Sequence, residues 1–400
     1  MSAVDLHIFA FPLSLILAVV PLLCVVLCRN SAFGKRLAYG PVAVALMVIA
    51  SLFVAVEGIW GFGLYRHWTF VAVVLMMLFS LGFAALSDLK RRSYSSMISH
   101  LGLFLVLSGG MFGSPDRIDA QMWVFSDGRR EQLSFDSDGN AVQLPFGIAL
   151  KEFRIDYYDD GVSPKQYTST LDIDGKEFAA SVNHPCRYRG YRIYQSGYDV
   201  EEGRYSILKI VRDPWLPVVA LGALLLFIAT ILSLNIVWRS WKVLLIAVAL
   251  AVVFTVLSVA RISFGTLMPA LRSLWFVPHL SVYMLAYSTM ALSVICGVLL
   301  PFFKRMPAHF PEKLLATSSS LLLAGMLFGA VWAQQAWGNY WTWDTKECWA
   351  AVTWLLALAA IHIRGRKKLI FIILAFLAIQ ITWYGVNYLP AATNSLHMYQ

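Results

Sequence analysis

The chain is 400 residues long, 59% hydrophobic and only 14% charged, with a formal net charge of +9. Those proportions lie well outside the range of soluble globular domains. The basic excess does not indicate nucleic acid either, because it is confined to alternate loops between long apolar runs.

Ten apolar runs reach or approach the roughly 20 residues needed to cross a bilayer: 8–28, 40–60, 69–87, 97–113, 215–237, 243–261, 279–302, 314–333, 348–364 and 369–388. The expected fold is a polytopic α-helical membrane protein of about ten transmembrane helices. The first run is too long, and too well followed by others, to be a cleaved signal peptide. Lys and Arg gather in alternate connections: Arg29, Lys35 and Arg36; Lys90, Arg91 and Arg92; Arg239 and Lys242; Lys304, Arg305 and Lys313; Arg364, Arg366, Lys367 and Lys368. Only Asp88 and Glu312 oppose them there. The positive-inside rule makes these loops cytoplasmic. Both termini then lie outside, with the loops 61–68, 262–278 and 334–347.

The long segment from Ser114 to Asp213 also falls outside. Its stretches "MWVFSDGRREQLSF", "TLDIDGKEFAAS" and "YRIYQSGYD" alternate apolar and polar residues between turn signals, which predicts short strands and hairpins. About 100 residues suffice for a modest core. The expected organisation is a four-helix membrane block over 1–113, a small exported mainly-β domain over 114–213 between helices four and five, and a six-helix membrane block over 214–400. The cysteines are Cys24, Cys28, Cys186, Cys296 and Cys348, with no CxxC. Cys186 and Cys348 share the outer side, so a disulfide between them is one expectation to test.

Ionisable residues within or beside spans are functional candidates. His100 opens the fourth span and His362 closes the ninth, both near the cytoplasmic face. Either they ligate one metal centre or each marks an interface. His279 begins the seventh span and His397 follows the tenth, both outside, on the side where the tryptophan-rich loop emerges. His7, His67, His184 and His309 read as solvated or locally bonded, with His67 a reserve outer ligand. Paired histidines suit haem better than a structural zinc, which takes four ligands and often cysteine. Haem needs axial ligands, a flat aromatic surface and cations for its propionates, and Arg66, Arg261, Arg272 and Lys346 are outer cations.

Six of the 14 tryptophans lie between Trp332 and Trp354. Interfacial anchoring accounts for one or two of them, and Asp344 followed by Glu347 fits a capping box. Neither explains six at one loop.

The segment "WAQQAWGNYWTWDTKECW" resembles the tryptophan-rich WWD signature of haem-handling proteins in cytochrome c maturation. "LWFVPHLSVYMLAY" and "YGVNYLPAATNSLHMY" resemble its two flanking outer-histidine segments, the second reading "NSLHMY" where the family has a "GLHSY"-like form. Residues 240–400 thus resemble the CcsA (ResC) half of the system II cytochrome c synthase. "SVNHPCRYRGYRIYQSGYD" and "HLGLFLVLSGGMFGS" resemble parts of the CcsB (ResB) half, although the exported domain is short for that family. The whole chain resembles a natural CcsBA-type fusion.

The resemblance implies a holocytochrome-c synthase, a haem-lyase type of enzyme in the bacterial cytoplasmic (inner) membrane. His100 and His362 match the transmembrane histidines that hold haem during its passage outward. His279 and His397 match the outer pair that ligates haem iron. Trp337, Trp341, Trp343 and Asp344 match the platform under the porphyrin, with Trp332 beside them. Haem b would be substrate and bound intermediate, and two thiols of a CxxCH motif in exported apocytochrome c would add across its vinyl groups. Because the chain has no CxxC, a thioredoxin-like reductant is expected as a partner, beside haem, apocytochrome c and membrane lipids, with no nucleic acid. The alternatives are a haem export or delivery protein that makes no bond, a b-type cytochrome, and an assembly factor anchored by its Trp loop.

Overall fold

A computed structural model describes residues 9–38, 40–237, 249, 266–302, 307, 309–365 and 367–394. The first helices are α1 (Leu13–Leu27), the short α2 (Ala32–Leu37), α3 (Gly40–Trp60), α4 (Trp68–Lys90) and α5 (Tyr94–Gly113). After the strands come α6 (Leu216–Val237), α7 (Phe276–Leu299), α8 (Phe310–Trp337), α9 (Thr345–His362) and α10 (Lys367–Trp383).

Among the described residues, six helices are long and apolar enough to cross a membrane: α3, α4, α5 with its 3₁₀ extension to Asp116, α6 over Leu216–Leu234, α7 and α8. They match six of the expected spans. The expected run 8–28 is the 15-residue α1, about 22 Å long at 1.5 Å per residue and so short of a 30 Å hydrocarbon core. α9 has 18 residues but opens on Thr345, Lys346 and Glu347. α10 has 17 and gives way to a 3₁₀ turn at Gly385–Tyr388. Apart from residue 249, the run 243–261 lies outside the described residues.

Between α5 and α6 stands an eight-stranded antiparallel sheet. Its strands are β1 (Ile118–Phe125), β2 (Glu131–Asp136), β3 (Ala141–Tyr157), β4 (Pro164–Ile173), β5 (Lys176–Ser181), β6 (Cys186–Tyr188), β7 (Tyr191–Tyr198) and β8 (Tyr205–Arg212). The spatial order is β5-β4-β3-β2-β1-β8-β7-β6. Period-two alternation turns Ala120, Met122 and Val124 of β1 inward, and Met122 and Val124 join Phe146, Ile148, Leu171, Ile193 and Ile210 in the core. The sheet curls on itself. Ser181 bridges to His184, and Ser169 of β4 reaches Gln195 of β7 at 2.6 Å and Ser206 of β8 at 2.8 Å.

Two packing features position the site. α5 and α6 touch backbone to backbone through Gly102 and Gly222, where a Cβ on Gly222 would meet the Gly102 carbonyl at 2.7 Å. Small residues are what allow such approach between membrane helices. The first and second helical groups are also not separate bodies. Val54 of α3 and Phe70 of α4 share a buried cluster with Cys348, Trp349 and Val352 of α9 and Ala378 of α10.

Candidate haem-handling site

At one end of the helices, His100 lies in the second turn of α5. Its Nδ1 sits 2.8 Å from Asp88 Oδ2. Asp88 lies in the last turn of α4, and the chain reverses through Arg92 at φ 57°, with Ser93 N–H donating to the Asp88 carbonyl. That reversal lays the carboxylate beside the imidazole twelve residues later. His362, the last residue of α9, places Nδ1 2.8 Å from the Leu358 carbonyl. A carbonyl only accepts, so Nδ1 is the donor and a neutral ring carries its lone pair on Nε2. Among the described residues, Nε2 of neither histidine makes a hydrogen bond. Leu103 of α5 packs on the cluster that includes Ala357 and Ala360 of α9. Both imidazoles therefore have the form of metal-binding histidines, with Nδ1 fixed by a second partner.

At the opposite end, His279 stands in the first turn of α7 with Nδ1 2.9 Å from the Gly325 carbonyl of α8. Its ring meets Tyr283 edge-on at 5.0 Å and Trp332 at 5.7 Å. Trp332 is 2% exposed and donates from Nε1 to the Ala270 carbonyl, and Trp337 packs against it at 5.3 Å. His397 lies outside the described residues.

α8 ends where Gly338 takes φ +81°, and the turn that follows carries Trp341 and Trp343. Trp343 adopts φ 61°, a costly conformation for a bulky residue. It stacks on Tyr65 and meets Phe70 and Trp341 edge-on. The expected platform is thus two aromatic groups: Trp332 and Trp337 with His279, and Trp341 and Trp343 with residues of the first helical group. Asp344 caps α9 in the expected capping box, accepting from Lys346 N–H while Glu347 accepts from Asp344 N–H. Around this turn Trp341 Nε1, Asn339 Oδ1 and Trp349 Nε1 are buried with no hydrogen-bond partner among the described residues. Such groups are rare in folded proteins, and a polar ligand seated on the turn would supply partners.

The β domain rests on the same turn. Arg117 donates to the Gly338 carbonyl at 2.9 Å, and Tyr194 Oη to the Gln334 carbonyl at 2.9 Å. Asn183 donates to the Pro269 carbonyl, Arg272 to the Lys165 carbonyl and Tyr158 to the Leu267 carbonyl. Arg117 also faces Asp119 and Asp213, and burial outweighs it in raising the Asp213 carboxyl. Burial pushes the Tyr340 hydroxyl up to about 12, so it stays protonated.

Of the expected cations, Arg66 stands 3.9 Å from exposed Asp138, Arg272 lies over Tyr158, and Arg261 is outside the described residues. His67 caps α4 and holds Thr69 Oγ1 at 2.7 Å. All five cysteines are free. Cys186 is buried in the β-domain core and Cys348 against α3, and the disulfide that their shared side allowed is not formed. Asp88, Tyr65, Arg117 and Tyr194 were not legible as site residues, because each reaches the site from a distant segment.

These features define a helical membrane protein with an antiparallel β domain between its helices and aromatic and histidine side chains gathered at two levels. The ResB-like family model matches residues 91–204, and the cytochrome C assembly protein model matches residues 215–393. The chain carries both domains in tandem, as a CcsBA-type fusion does. It is similar to the "Cytochrome c biogenesis protein CcsA" of Guillardia theta at 32% identity, over 32% of this chain and 56% of the relative. The corresponding proteins of Chlamydomonas reinhardtii and Prochlorococcus marinus (strain MIT 9301) are 31% and 30% identical, over 32% and 33% of this chain and 42% and 57% of each relative. The chain thus spans about half the length of the curated relatives it matches.

Proposed function

We propose that this chain is a cytochrome c biogenesis protein that carries haem across the bacterial cytoplasmic membrane and joins it to CxxCH motifs of exported apocytochrome c. The observation that carries this reading is the disposition of the histidines. His100 and His362 lie at one end of their helices with Nδ1 already bonded, and His279 lies at the other end among tryptophans. α9 links the levels, since its 18 residues run from the tryptophan turn to His362, roughly 26 Å at 1.5 Å per residue. In this reading α1, α9, α10 and 243–261 complete a ten-span protein with the β domain and both termini outside.

Haem enters from the cytoplasmic side between His100 and His362 and moves to the outer level, where His279 and His397 ligate the iron. Trp332, Trp337, Trp341 and Trp343 wall the porphyrin, and Asp344 fixes the turn that presents them. Each substrate thiol then adds sulfur to one vinyl carbon and its proton to the other, with no net oxidation. The gain comes from holding sulfur and vinyl in attack geometry, since thiolates are competent nucleophiles. A separate thioredoxin-like protein keeps the substrate thiols reduced.

The test is co-expression with an exported CxxCH substrate, scoring covalent haem on the substrate and haem in the purified protein. Synthase activity predicts covalent product that is lost in His279→Ala/His397→Ala and in His100→Ala/His362→Ala. Haem in the protein with no covalent product under reducing conditions would leave delivery as its role.

A further inference from the structure

The sequence "SDLKRRS" sets Asp88 beside Lys90, Arg91 and Arg92. A carboxylate in such a loop ordinarily neutralises a neighbouring cation. Here, among the described residues, it pairs with none of the three. Lys90 instead donates to Asn30. Asp88 turns inward, its side chain 15% exposed, and takes the Nδ1 edge of His100, itself 25% exposed. The other cytoplasmic acid, Glu312, meets Lys368 in the ordinary way.

We infer that Asp88 is the positioning residue for His100 as a haem-iron ligand. The inference rests on the proposal that His100 and His362 hold haem. By accepting the Nδ1 proton, Asp88 leaves the Nε2 lone pair for iron, fixes the ring plane and makes the imidazole a more basic donor. His362 has only the Leu358 carbonyl in that role. A carboxylate on one axial ligand and a neutral carbonyl on the other make His100 the firmer of the two.

The experiment is titration of detergent-purified protein with haemin in a His279→Ala background, which removes an outer ligand. Affinity and the reduction potential of the bound haem are read for Asp88, Asp88→Asn, Asp88→Glu, His100→Ala and His362→Ala. Asp88→Asn keeps the shape and removes the charge. It is expected to weaken binding by about 10- to 100-fold and to raise the potential of what still binds, with Asp88→Glu recovering part of both. Unchanged affinity and potential in Asp88→Asn, beside loss of binding in His100→Ala, would overturn the role of Asp88 alone. Full binding in both histidine variants would overturn the haem station itself, and the Asp88 role with it.

Discussion

Tyr65 and Trp343 stack face to face, ring centroids 5.2 Å apart and planes within 6°. One belongs to the short connection between α3 and α4, the other to the tryptophan turn before α9. Glu57 holds the Tyr65 side of this contact. It is a buried carboxylate that accepts from Gly63 N–H at 3.1 Å and Leu64 N–H at 2.7 Å. The first helical group therefore builds part of the tryptophan turn's environment.

A double-mutant cycle of Tyr65→Ala and Trp343→Ala should return a coupling of about 0.5–1.5 kcal/mol, the usual range for aromatic pairs. Thermal melts of the detergent-purified protein read it. Glu57→Ala should cost more than Tyr65→Ala, because two partly buried N–H groups lose their acceptor, at up to about 1–3 kcal/mol each. Additive effects of the pair would mean that the stacking does not couple the halves.

The β domain should act on the turn through Gly338. A Cβ there would meet Tyr194 Cε2 and Val211 Cγ2 at 2.8 Å, and the residue holds φ +81°. Gly338→Ala therefore combines left-handed strain, of order 1–3 kcal/mol, with a clash against β7 and β8. Arg117→Ala removes a charge-assisted hydrogen bond to the same carbonyl and leaves buried Asp213 without its counter-charge. Both variants should expose the 334–344 segment to limited proteolysis while the isolated β-domain fold survives. Protection equal to wild type would show that the docking does not hold the turn.

The sequence reading reached what local pattern controls. Apolar length located α3 to α8, alternation located the strands, and the Asp344–Glu347 spacing predicted the cap that forms. Length alone left other runs undecided, as in α1, whose apolar run folds to a helix of 15 residues. The histidines were legible because ionisable groups in apolar runs are rare. Their partners were not, because Asp88, Gly325, Tyr65 and Arg117 approach from other elements, and nothing in a linear pattern records a tertiary contact. The basic connections likewise assign sides to Cys186 and Cys348 without saying that separate cores bury them.

Those thiols give a direct check. Burial pushes Cys186 up to about 12, so at pH 8 it stays protonated and lacks the thiolate, the reactive form. Cys186 and Cys348 should resist maleimide in the folded protein and react after denaturation, and non-reducing gels should show no bond between them. Cys28 is exposed. In sealed vesicles it should label from the cytoplasmic face. Labelling from the outer face would invert the topology assigned from the basic loops.

His279 depends on a glycine one turn along α8 from Gly325. A Cβ on Gly329 would meet His279 Cε1 at 2.6 Å and Nδ1 at 2.7 Å, while Nδ1 is held by the Gly325 carbonyl. The ring is confined on its other sides by Tyr283 and Trp332. Gly329→Ala must therefore displace the imidazole and lengthen that hydrogen bond, although alanine suits a helix interior better by about 1 kcal/mol. Thermal stability should change by less than the site does. If His279 is an axial ligand at the outer level, Gly329→Ala should alter the Soret and α-band positions of bound haem in a His100→Ala/His362→Ala background. A spectrum identical to the parent, with the protein still binding haem, would remove His279 from the ligand set.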